Sequence, residues 1–302
     1  MNKYKVLICN DDGPPNQEES PFVLPFIEHL EKLGWDVKVC LPDSQKSWIS
    51  KAFMIKDKIE VSYYHRDSHE ISYHKKNESD FILLSGTPAT CVNIALHHIF
   101  KDENFDMVIC GPNLGRNITS IYTLASGTIG GAIEGTLCGK KSIALSFPFY
   151  TRDFSSSKIQ NACTMATDVI EQLYKKNNWP KNGLFNINVP LVDESCPIHI
   201  TQFHTTHYGS LFRPTKSTDN NSNSQLPVEQ QVRLESEGGN DVERTTFKFA
   251  PDFKSLSRPV DTLTGSDAYA IDNKCISVTP MIASFEVADL NVDYGINIVN
   301  KL

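Results

Sequence analysis

The chain has 302 residues, a formal net charge of −7, and 40% hydrophobic and 22% charged residues, which is the composition of an ordinary globular protein. The negative charge argues against a protein held on nucleic acid by a basic surface, because such binding relies on clustered Lys and Arg. No segment approaches the run of about 20 apolar residues that crosses a bilayer, and residues 6–9 are too short a run for a signal-peptide core. We therefore expect a soluble, cytoplasmic protein that binds neither a membrane nor a nucleic-acid duplex.

The eight cysteines include no CxxC pair and no cluster with histidine. Cys9, Cys40 and Cys110 lie in or at the end of apolar runs that are typical of buried strands. This placement indicates reduced thiols that pack as small hydrophobic side chains, rather than disulfides or zinc ligands.

In the first 190 residues, short apolar runs alternate with helical patterns, which is typical of a parallel sheet flanked by helices. The predicted strands are 4–9, 36–41, 81–84, 107–110, 142–147 and 184–189, with an edge strand or hairpin at 61–64. The predicted helices are at about 21–33, 88–100, 127–137 and 156–176, and a loop is predicted at 111–125. The sequence therefore predicts an α/β fold around a mostly parallel sheet.

Two of these helices carry specific expectations. Ser20 is a good N-cap for the first helix and Pro21 suits its first position, although Pro25 leaves a later start open. In the helix at 127–137, the side chains predicted by their spacing to face inward are Ile129, Ala132, Ile133 and Leu137.

Beyond residue 190 the character of the sequence changes. Residues 214–245 are rich in Ser, Asn, Gln and Glu, and such a stretch cannot bury enough apolar area to offset its ordering entropy, so we predict a mobile loop. A late strand is predicted at 276–280. We therefore divide the chain into an α/β core at 1–190 and an irregular extension at 191–302 that completes the fold.

Oxygen-bearing side chains follow four of the predicted strands. In open parallel sheets, ligands bind beyond the carboxyl ends of the strands. The side chains there include Asp11, Asp12, Asp43, Ser47, Ser85, Thr87, Asn113, Asn117, Ser126 and Thr128. Such hard ligands suit Mg²⁺, Mn²⁺ or Ca²⁺ better than zinc. Residues 10–13, Asn-Asp-Asp-Gly, are also good turn chemistry, so this motif alone leaves a metal site and a plain turn both open.

The segment Ser126-Gly127-Thr128 stands at the start of a predicted helix. A helix N-terminus presents free N–H groups and a partial positive charge, and glycine lets an anion approach the backbone, which suits phosphate. The alternative is a plain Ser N-cap followed by glycines that allow close helix–sheet packing. No GxxxxGK[ST] motif is present, and no GxGxxG follows the first strand, so neither an ATP-binding P-loop nor a dinucleotide site is indicated.

Five motifs occur in a fixed order along the chain. They are Asn10-Asp11-Asp12-Gly13, Leu41-Pro42-Asp43 with Ser47, Ser85-Gly86-Thr87-Pro88, Gly111-Pro112-Asn113 with Asn117, and Ser126-Gly127-Thr128. Together they resemble the SurE family of survival proteins, which are metal-dependent nucleoside-monophosphate phosphatases. Residues 46–48 and 111–113 look most like the fungal branch of that family, whose members are sometimes joined to a tubulin-tyrosine-ligase-like domain.

The resemblance implies a Rossmann-like three-layer α/β sandwich with a mostly parallel sheet. It also implies that the C-terminal extension carries a β-hairpin and oligomerisation elements, and that the protein assembles as a homodimer or tetramer. The implied activity is hydrolysis of small phosphomonoesters, above all nucleoside 5′- or 3′-monophosphates. The implied cofactor is Mg²⁺ or Mn²⁺, with Ca²⁺ as a substitute in crystals.

The resemblance also assigns residues to roles. The implied metal ligands are Asp11, Asp12, Ser47 and Asn113. The residues implied to surround the substrate and its phosphate are Asn10, Gly13, Asn117, Ser126, Gly127 and Thr128. Asp11 and Asp12 are the implied catalytic residues, and which of them acts as general base or nucleophile stays open.

Some positions differ from the family pattern. Trp48 stands where glycine commonly follows the metal-site serine, and Pro14-Pro15-Asn16 replaces a glycine-rich continuation. These positions border the expected cleft and so bear on substrate preference. They also motivate an alternative hypothesis, a nucleotide-binding or interaction module that keeps the fold and turns over weakly. His204 and His207 could reach the cleft as an acid or as phosphate contacts, and Arg116 is either a phosphate contact or a solvated surface residue.

Overall fold

The computed structural model describes residues 3–217, 244–251 and 263–285. The strands are β1 (Lys5–Cys9), β2 (Asp36–Pro42), β3 (Val61–Tyr64), β4 (Ile71–Ser72), β5 (Phe81–Leu84), β6 (Met107–Leu114), β7 (Lys141–Phe147), β8 (Gly183–Asn188), β9 (Ile198–Ile200), β10 (Phe212–Ser217), β11 (Arg244–Phe249) and β12 (Ile276–Ile282). The helices are α1 (Val23–Lys32), α2 (Pro88–Ile94), α3 (Thr119–Ala125), α4 (Gly127–Leu137), α5 (Ser156–Lys176) and α6 (Asp267–Asp272). A π-helical turn at Ala95–Ile99 continues α2.

Ten of these strands form one sheet in the order β4-β3-β5-β2-β1-β6-β7-β8-β12-β9. The six strands from β5 to β8 in this order run parallel to one another. β3 is antiparallel to β5, and β12 is antiparallel to β8. The predicted α/β fold with a mostly parallel sheet is confirmed, and the carboxyl ends of the six parallel strands share one edge.

Successive side chains of β1 enter different cores, because neighbouring residues of a strand point to opposite faces of a sheet. Val6 and Ile8 join a cluster that includes residues of α1 and α5. Leu7 and Cys9 join a second cluster that includes residues of α2 and α4. The sheet is therefore covered on both sides, as the predicted three-layer sandwich requires. All eight cysteines are free thiols and five are buried, which confirms their predicted role as packing residues.

The first helix starts later than Ser20 predicts. Its N-cap is Phe22, without a side-chain hydrogen bond. The Ser20 hydroxyl donates instead to the carbonyl oxygen of Gly13, at 3.0 Å. Leu137, which was predicted to face inward, is 59% exposed. It is the last residue of α4, where the helix ends beyond the edge of the apolar cluster.

The strand predicted at 107–110 is longer than expected. β6 continues to Leu114, with a register irregularity between Cys110 and Asn113 and a cis peptide bond at Gly111–Pro112. The rest of the predicted loop contains the short helix α3. Asn113 therefore lies in the strand, opposite Ser146 of β7, rather than in a free loop.

The chain contacts divide into two units, residues 1–205 with 261–302, and residues 206–260. The first unit contains the sheet, in which β12 pairs with β8. The second contains the antiparallel hairpin β10–β11, with Phe212 opposite Phe249. Most of the loop predicted at 214–245 lies outside the described residues. Within the described part of the chain, no helix combines the length and apolar character needed to cross a membrane.

Candidate functional site

The turn after β1 is built by Asn10. Its side-chain amide donates to the carbonyl oxygen of Gly13 at 2.8 Å, and its Oδ1 accepts the N–H of Gly13 at 3.1 Å. Gly13 has φ +84°, and a Cβ there would lie 3.0 Å from the Ser44 backbone. Only glycine satisfies both demands without strain. The structure therefore gives Asn10 and Gly13 a turn-forming role, and their contact with substrate stays a prediction.

This turn presents two adjacent carboxylates at the carboxyl edge of the sheet. Asp11 and Asp12 are 2% and 4% exposed. Asp11 Oδ1 accepts a hydrogen bond from the Thr128 hydroxyl. Asp12 Oδ2 accepts the backbone N–H of Leu114 at 2.7 Å. Each carboxylate is thus held through one oxygen by a neighbouring element, α4 for Asp11 and β6 for Asp12.

Burial, rather than a neighbouring basic group, dominates the electrostatics of this pair. Burial raises the pKa of Asp11 to about 6. Burial, followed by repulsion from Asp11, raises the pKa of Asp12 well above its usual range. Within the described residues, no basic side chain opposes these shifts. Since a buried charge is costly unless it is paired or coordinates a metal, the pair is electrostatically suited to a bound cation.

The start of α4 is directed at Asp11. Ser126 is the N-cap, and its Oγ accepts the N–H of Ile129 at 3.2 Å. A Cβ on Gly127 would lie 2.8 Å from the Cβ of Asp11, so glycine allows this close approach. The positive end of the helix dipole therefore stabilises the Asp11 carboxylate. A phosphate contact for Ser126, Gly127 and Thr128 stays a prediction.

The two other predicted metal ligands flank the carboxylates. Asn113 is buried and precedes Leu114, whose N–H bonds Asp12. Ser47 is exposed and follows Lys46, whose N–H donates to the carbonyl oxygen of Asp11 at 2.7 Å. The backbone thus brings both residues next to the pair, from β6 and from the loop after β2.

Asn117 is anchored at the ends of β7 and β8. Its backbone N–H donates to Asn188 Oδ1 at 2.8 Å, and its side-chain amide donates to Ser146 Oγ at 2.9 Å. Its carbonyl oxygen accepts from the side chains of Asn186 and Asn188, at 2.7 and 3.1 Å. Asn186 and Asn188 have no predicted role from the sequence, although two asparagines at alternate positions of a buried strand signal one polar face. Asn117 itself remains a predicted phosphate contact.

Asp267, at the start of α6, holds the loop that carries Asn117. Its buried carboxylate accepts the backbone N–H groups of Thr119 at 2.6 Å, His204 at 3.0 Å and Ala268 at 2.7 Å. Burial raises the pKa of Asp267. Thr119 has φ +61°, which is rare for a β-branched residue and needs enforcement by its surroundings. No local sequence pattern predicts this contact, since 148 residues separate Asp267 from Thr119.

Known proteins are similar to this chain in sequence and in fold. A 5′-nucleotidase SurE from Parvibaculum lavamentivorans is 30% identical over 279 residues, which are 92% of this chain and 84% of the relative. Such 5′-nucleotidases are phosphoric monoester hydrolases. A protein named probable tubulin–tyrosine ligase PBY1, from Saccharomyces cerevisiae, is 31% identical over 93% of this chain, but this chain spans only 41% of its length.

The comparison with solved structures gives the same fold. The crystal structure of the SurE protein from Aquifex aeolicus matches with a TM-score of 0.64 and 23% identity, covering 93% of this chain and 94% of the other. The family model described as survival protein SurE matches residues 6–210. The resemblance that the ordered motifs indicated is thereby confirmed, and the chain belongs to the SurE family.

Proposed function

We propose that this chain is a divalent-metal-dependent phosphatase that hydrolyses small phosphomonoesters, with nucleoside 5′- or 3′-monophosphates as its substrates. The observation that carries the proposal is the buried pair Asp11–Asp12 at the carboxyl edge of the sheet, whose pKa values are both raised. Membership of a family whose relatives are named 5′-nucleotidases supports the reaction class.

The residues present fit a hard divalent cation. Within the described residues, no group of three or more His, Cys, Asp or Glu side chains is arranged to hold a metal. Two carboxylates alone would therefore supply the charged ligands. Ser47 and Asn113 would supply neutral oxygens from the adjacent loop and strand. This all-oxygen set suits Mg²⁺ or Mn²⁺.

The protein's own groups would orient the reaction. Thr128 and Leu114 each fix one oxygen of a carboxylate, so the second oxygen of each Asp can face the cation or a proton of the attacking water. A bound cation would polarise the phosphoryl oxygens and neutralise their charge. Asn117, held by Ser146 and by two asparagines of β8, would position the phosphate. We assign the general-base or nucleophile role to the carboxylate pair.

The test is hydrolysis of a chromogenic aryl phosphate with Mg²⁺, with Mn²⁺ and with a chelator. We expect chelation to abolish phosphate release, and Asp11→Asn to lower kcat by about 100-fold to 1000-fold, as for removal of a preorganised electrostatic group. Asp102→Asn, on an exposed carboxylate, is the matched control and should keep full activity. Activity that survives both chelation and Asp11→Asn would contradict the proposal.

A weakly catalytic nucleotide-binding module is the alternative outcome of the same experiment. It predicts metal-dependent binding of a nucleoside monophosphate without phosphate release. Calorimetry with adenosine 5′-monophosphate and Mn²⁺, run beside the phosphate assay, separates the two. The ligase name of the yeast relative favours neither, because most of that protein lies outside the match.

We also propose that the chain assembles as a homodimer or tetramer. β9 is the terminal strand of the described sheet, and its Ile198 and Ile200 side chains are 46% and 66% exposed. An exposed apolar edge strand is a ready site for pairing with another chain. Size-exclusion chromatography with light scattering should show an oligomer that Ile200→Lys dissociates. A parent that runs as a monomer at micromolar concentration would contradict this part of the proposal.

A further inference from the structure

Trp48 lies in the loop after β2, between two backbone hydrogen bonds that join this loop to the site. On one side, the N–H of Lys46 donates to the carbonyl oxygen of Asp11 at 2.7 Å. On the other, the N–H of Ser50 donates to the carbonyl oxygen of Ala125 at 2.9 Å. The loop therefore spans from the carboxylate turn to the residue that precedes the Ser N-cap of α4, with Trp48 midway between them.

The backbone at Trp48 adopts a conformation that its side chain disfavours. Trp48 has φ +63° and Ser50 has φ +54°, in the left-handed region that bulky residues rarely occupy. Glycine adopts this region freely, whereas a tryptophan is strained there. The backbone conformation of the loop alone would therefore favour glycine over tryptophan at position 48. Strained conformations of this kind cluster at binding sites.

A second aromatic residue stands beside Trp48. The ring centroids of Trp48 and Tyr122 are 6.0 Å apart with an interplanar angle of 66°, an edge-to-face arrangement. Tyr122 belongs to α3, which buries Ile121 and Thr123, and the tyrosine is only partly buried, as is Trp48. The pair thus lies at the surface of the loop and helix that lead directly to Ser47 and to the start of α4.

We propose that Trp48 and Tyr122 form an aromatic platform that stacks against the ring of the substrate's organic part, so that this chain selects phosphomonoesters with an aromatic or nucleobase ring. The proposal rests on the proposed phosphatase function and names its specificity. Aromatic side chains stack on any base through the π-face. The platform therefore favours ring-bearing esters over aliphatic ones without selecting one base.

The experiment compares substrates rather than rates alone. The kcat/KM values for adenosine 5′-monophosphate and for glycerol phosphate are measured in the parent, Trp48→Gly, Trp48→Phe, Tyr122→Leu and Tyr73→Leu. Trp48→Gly removes the ring and accommodates the positive φ, so folding is preserved. Tyr73 is an exposed aromatic residue directly after β4, outside the loop and helix that carry Trp48 and Tyr122, so its variant is the matched control.

We expect Trp48→Gly to lower the preference for the nucleotide over glycerol phosphate by about 10-fold to 100-fold, the range expected for loss of a base–aromatic stack. Tyr122→Leu should lower it less, Trp48→Phe should keep most of it, and Tyr73→Leu should not change it. An equal fall on both substrates, or an unchanged preference, overturns the proposal, because the ring then only packs the loop.

Failure of the proposed function gives a different result. If the parent hydrolyses neither ester, the platform is tested by calorimetric binding of the same two compounds with Mn²⁺. Tighter binding of the nucleotide that is lost in Trp48→Gly and kept in Tyr73→Leu supports the platform. Equal binding of the two compounds by the parent overturns it.

Discussion

Two buried clusters that contain aspartate, Asp11 with Asp12 and Asp80 with His65, differ in the direction in which the aspartate pKa is shifted. Asp11 and Asp12 lie at the carboxyl edge of the sheet, where burial raises both pKa values. Asp80 lies before β5, paired with His65 at 2.9 Å. Burial raises its pKa too, but hydrogen bonds from the Asn77 backbone and its other partners outweigh this, so that the pKa of Asp80 falls below its ordinary value.

The partners of Asp80 explain the difference. Its Oδ2 accepts the backbone N–H groups of Lys76 at 2.7 Å and Asn77 at 2.8 Å, and it faces His65 Nδ1. His65 Nε2 in turn contacts Ser72 Oγ at 2.8 Å. These three contacts all converge on Oδ2, whereas the buried Oδ1 has no hydrogen-bond partner in the structure. Burial therefore does not by itself mark a functional carboxylate; Asp12 differs from Asp80 in that an adjacent buried carboxylate repels it.

The largest contrast is expected in catalysis. Asp12→Asn should lower kcat on an aryl phosphate by about 100-fold to 1000-fold, because it removes one of the two proposed charged ligands. Asp80→Asn should leave kcat per folded molecule unchanged. Steady-state kinetics normalised to folded protein measure both. A comparable loss in the two variants would mean that the clusters do not differ in the proposed way.

The second expected difference between the two clusters is in stabilisation by a bound metal. Mn²⁺ at about 100 times its Kd should raise the free energy of unfolding of the parent by about 2.7 kcal/mol, since it binds the folded state alone. Asp80→Asn should keep this gain and Asp12→Asn should lose it. Denaturant titrations with and without chelator provide the measurement. In chelator, Asp12→Asn should be at least as stable as the parent, because like-charge repulsion is removed.

Without metal, the substitution that lowers stability should be the one in the Asp80–His65 cluster. Asp80→Asn should lower the free energy of unfolding by about 1.5–3 kcal/mol, as expected for hydrogen bonds to a charged group. Urea denaturation in chelator at neutral pH measures this, with Asp102→Asn as the exposed control. An unchanged midpoint for Asp80→Asn would show that its three donors contribute nothing net.

A smaller catalytic effect is expected where α4 approaches the carboxylate pair. The Cβ of Gly127→Ala would lie 2.8 Å from the Asp11 Cβ, so the helix start or the carboxylate must shift. We expect kcat to fall about 10-fold, in line with misplacement of a catalytic group. Gly209→Ala, which meets open space, should have no effect. Full activity in Gly127→Ala would show that the approach can relax without consequence.

The smallest effect concerns pH. Because the pKa of Asp80 is lower in the folded state, its contribution to stability is complete above the unfolded pKa and is lost as the pH falls through the folded pKa. The stability difference between the parent and Asp80→Asn should therefore shrink between neutral pH and about pH 3. Urea midpoints along a pH series measure it. A difference that grows on acidification has the wrong sign for this account.

Local patterns predicted the elements whose signals are local. The helix expected at 156–176 is α5, and the buried strands beside it were read from short apolar runs. Ser20 does not cap α1, because its hydroxyl donates to the carbonyl oxygen of Gly13 across the turn. The extension of β6 through Gly111 and Pro112 was missed because those residues are typical of loops.

The same limit applies to the site. Asp11 and Asp12 could be chosen from the sequence because they follow a strand, but Asn-Asp-Asp-Gly fitted a turn equally well. Only the fold shows that no basic side chain among the described residues compensates them. The anchoring of Asn117 by β8 and of Thr119 by Asp267 depends on contacts between distant segments, which no local periodicity encodes.

The hydrogen bond from Thr119 to Asp267 also has a consequence for synthesis. A ribosome adds about 5–20 residues per second, so the 148 residues between donor and acceptor take about 7–30 s to appear. During that interval β1, β2, β5 and β6 are already made, while the loop that carries Asn117 lacks its anchor. The carboxylate turn can therefore form early on the nascent chain, and the loop that carries Asn117 gains this anchor only after Asp267 has been made.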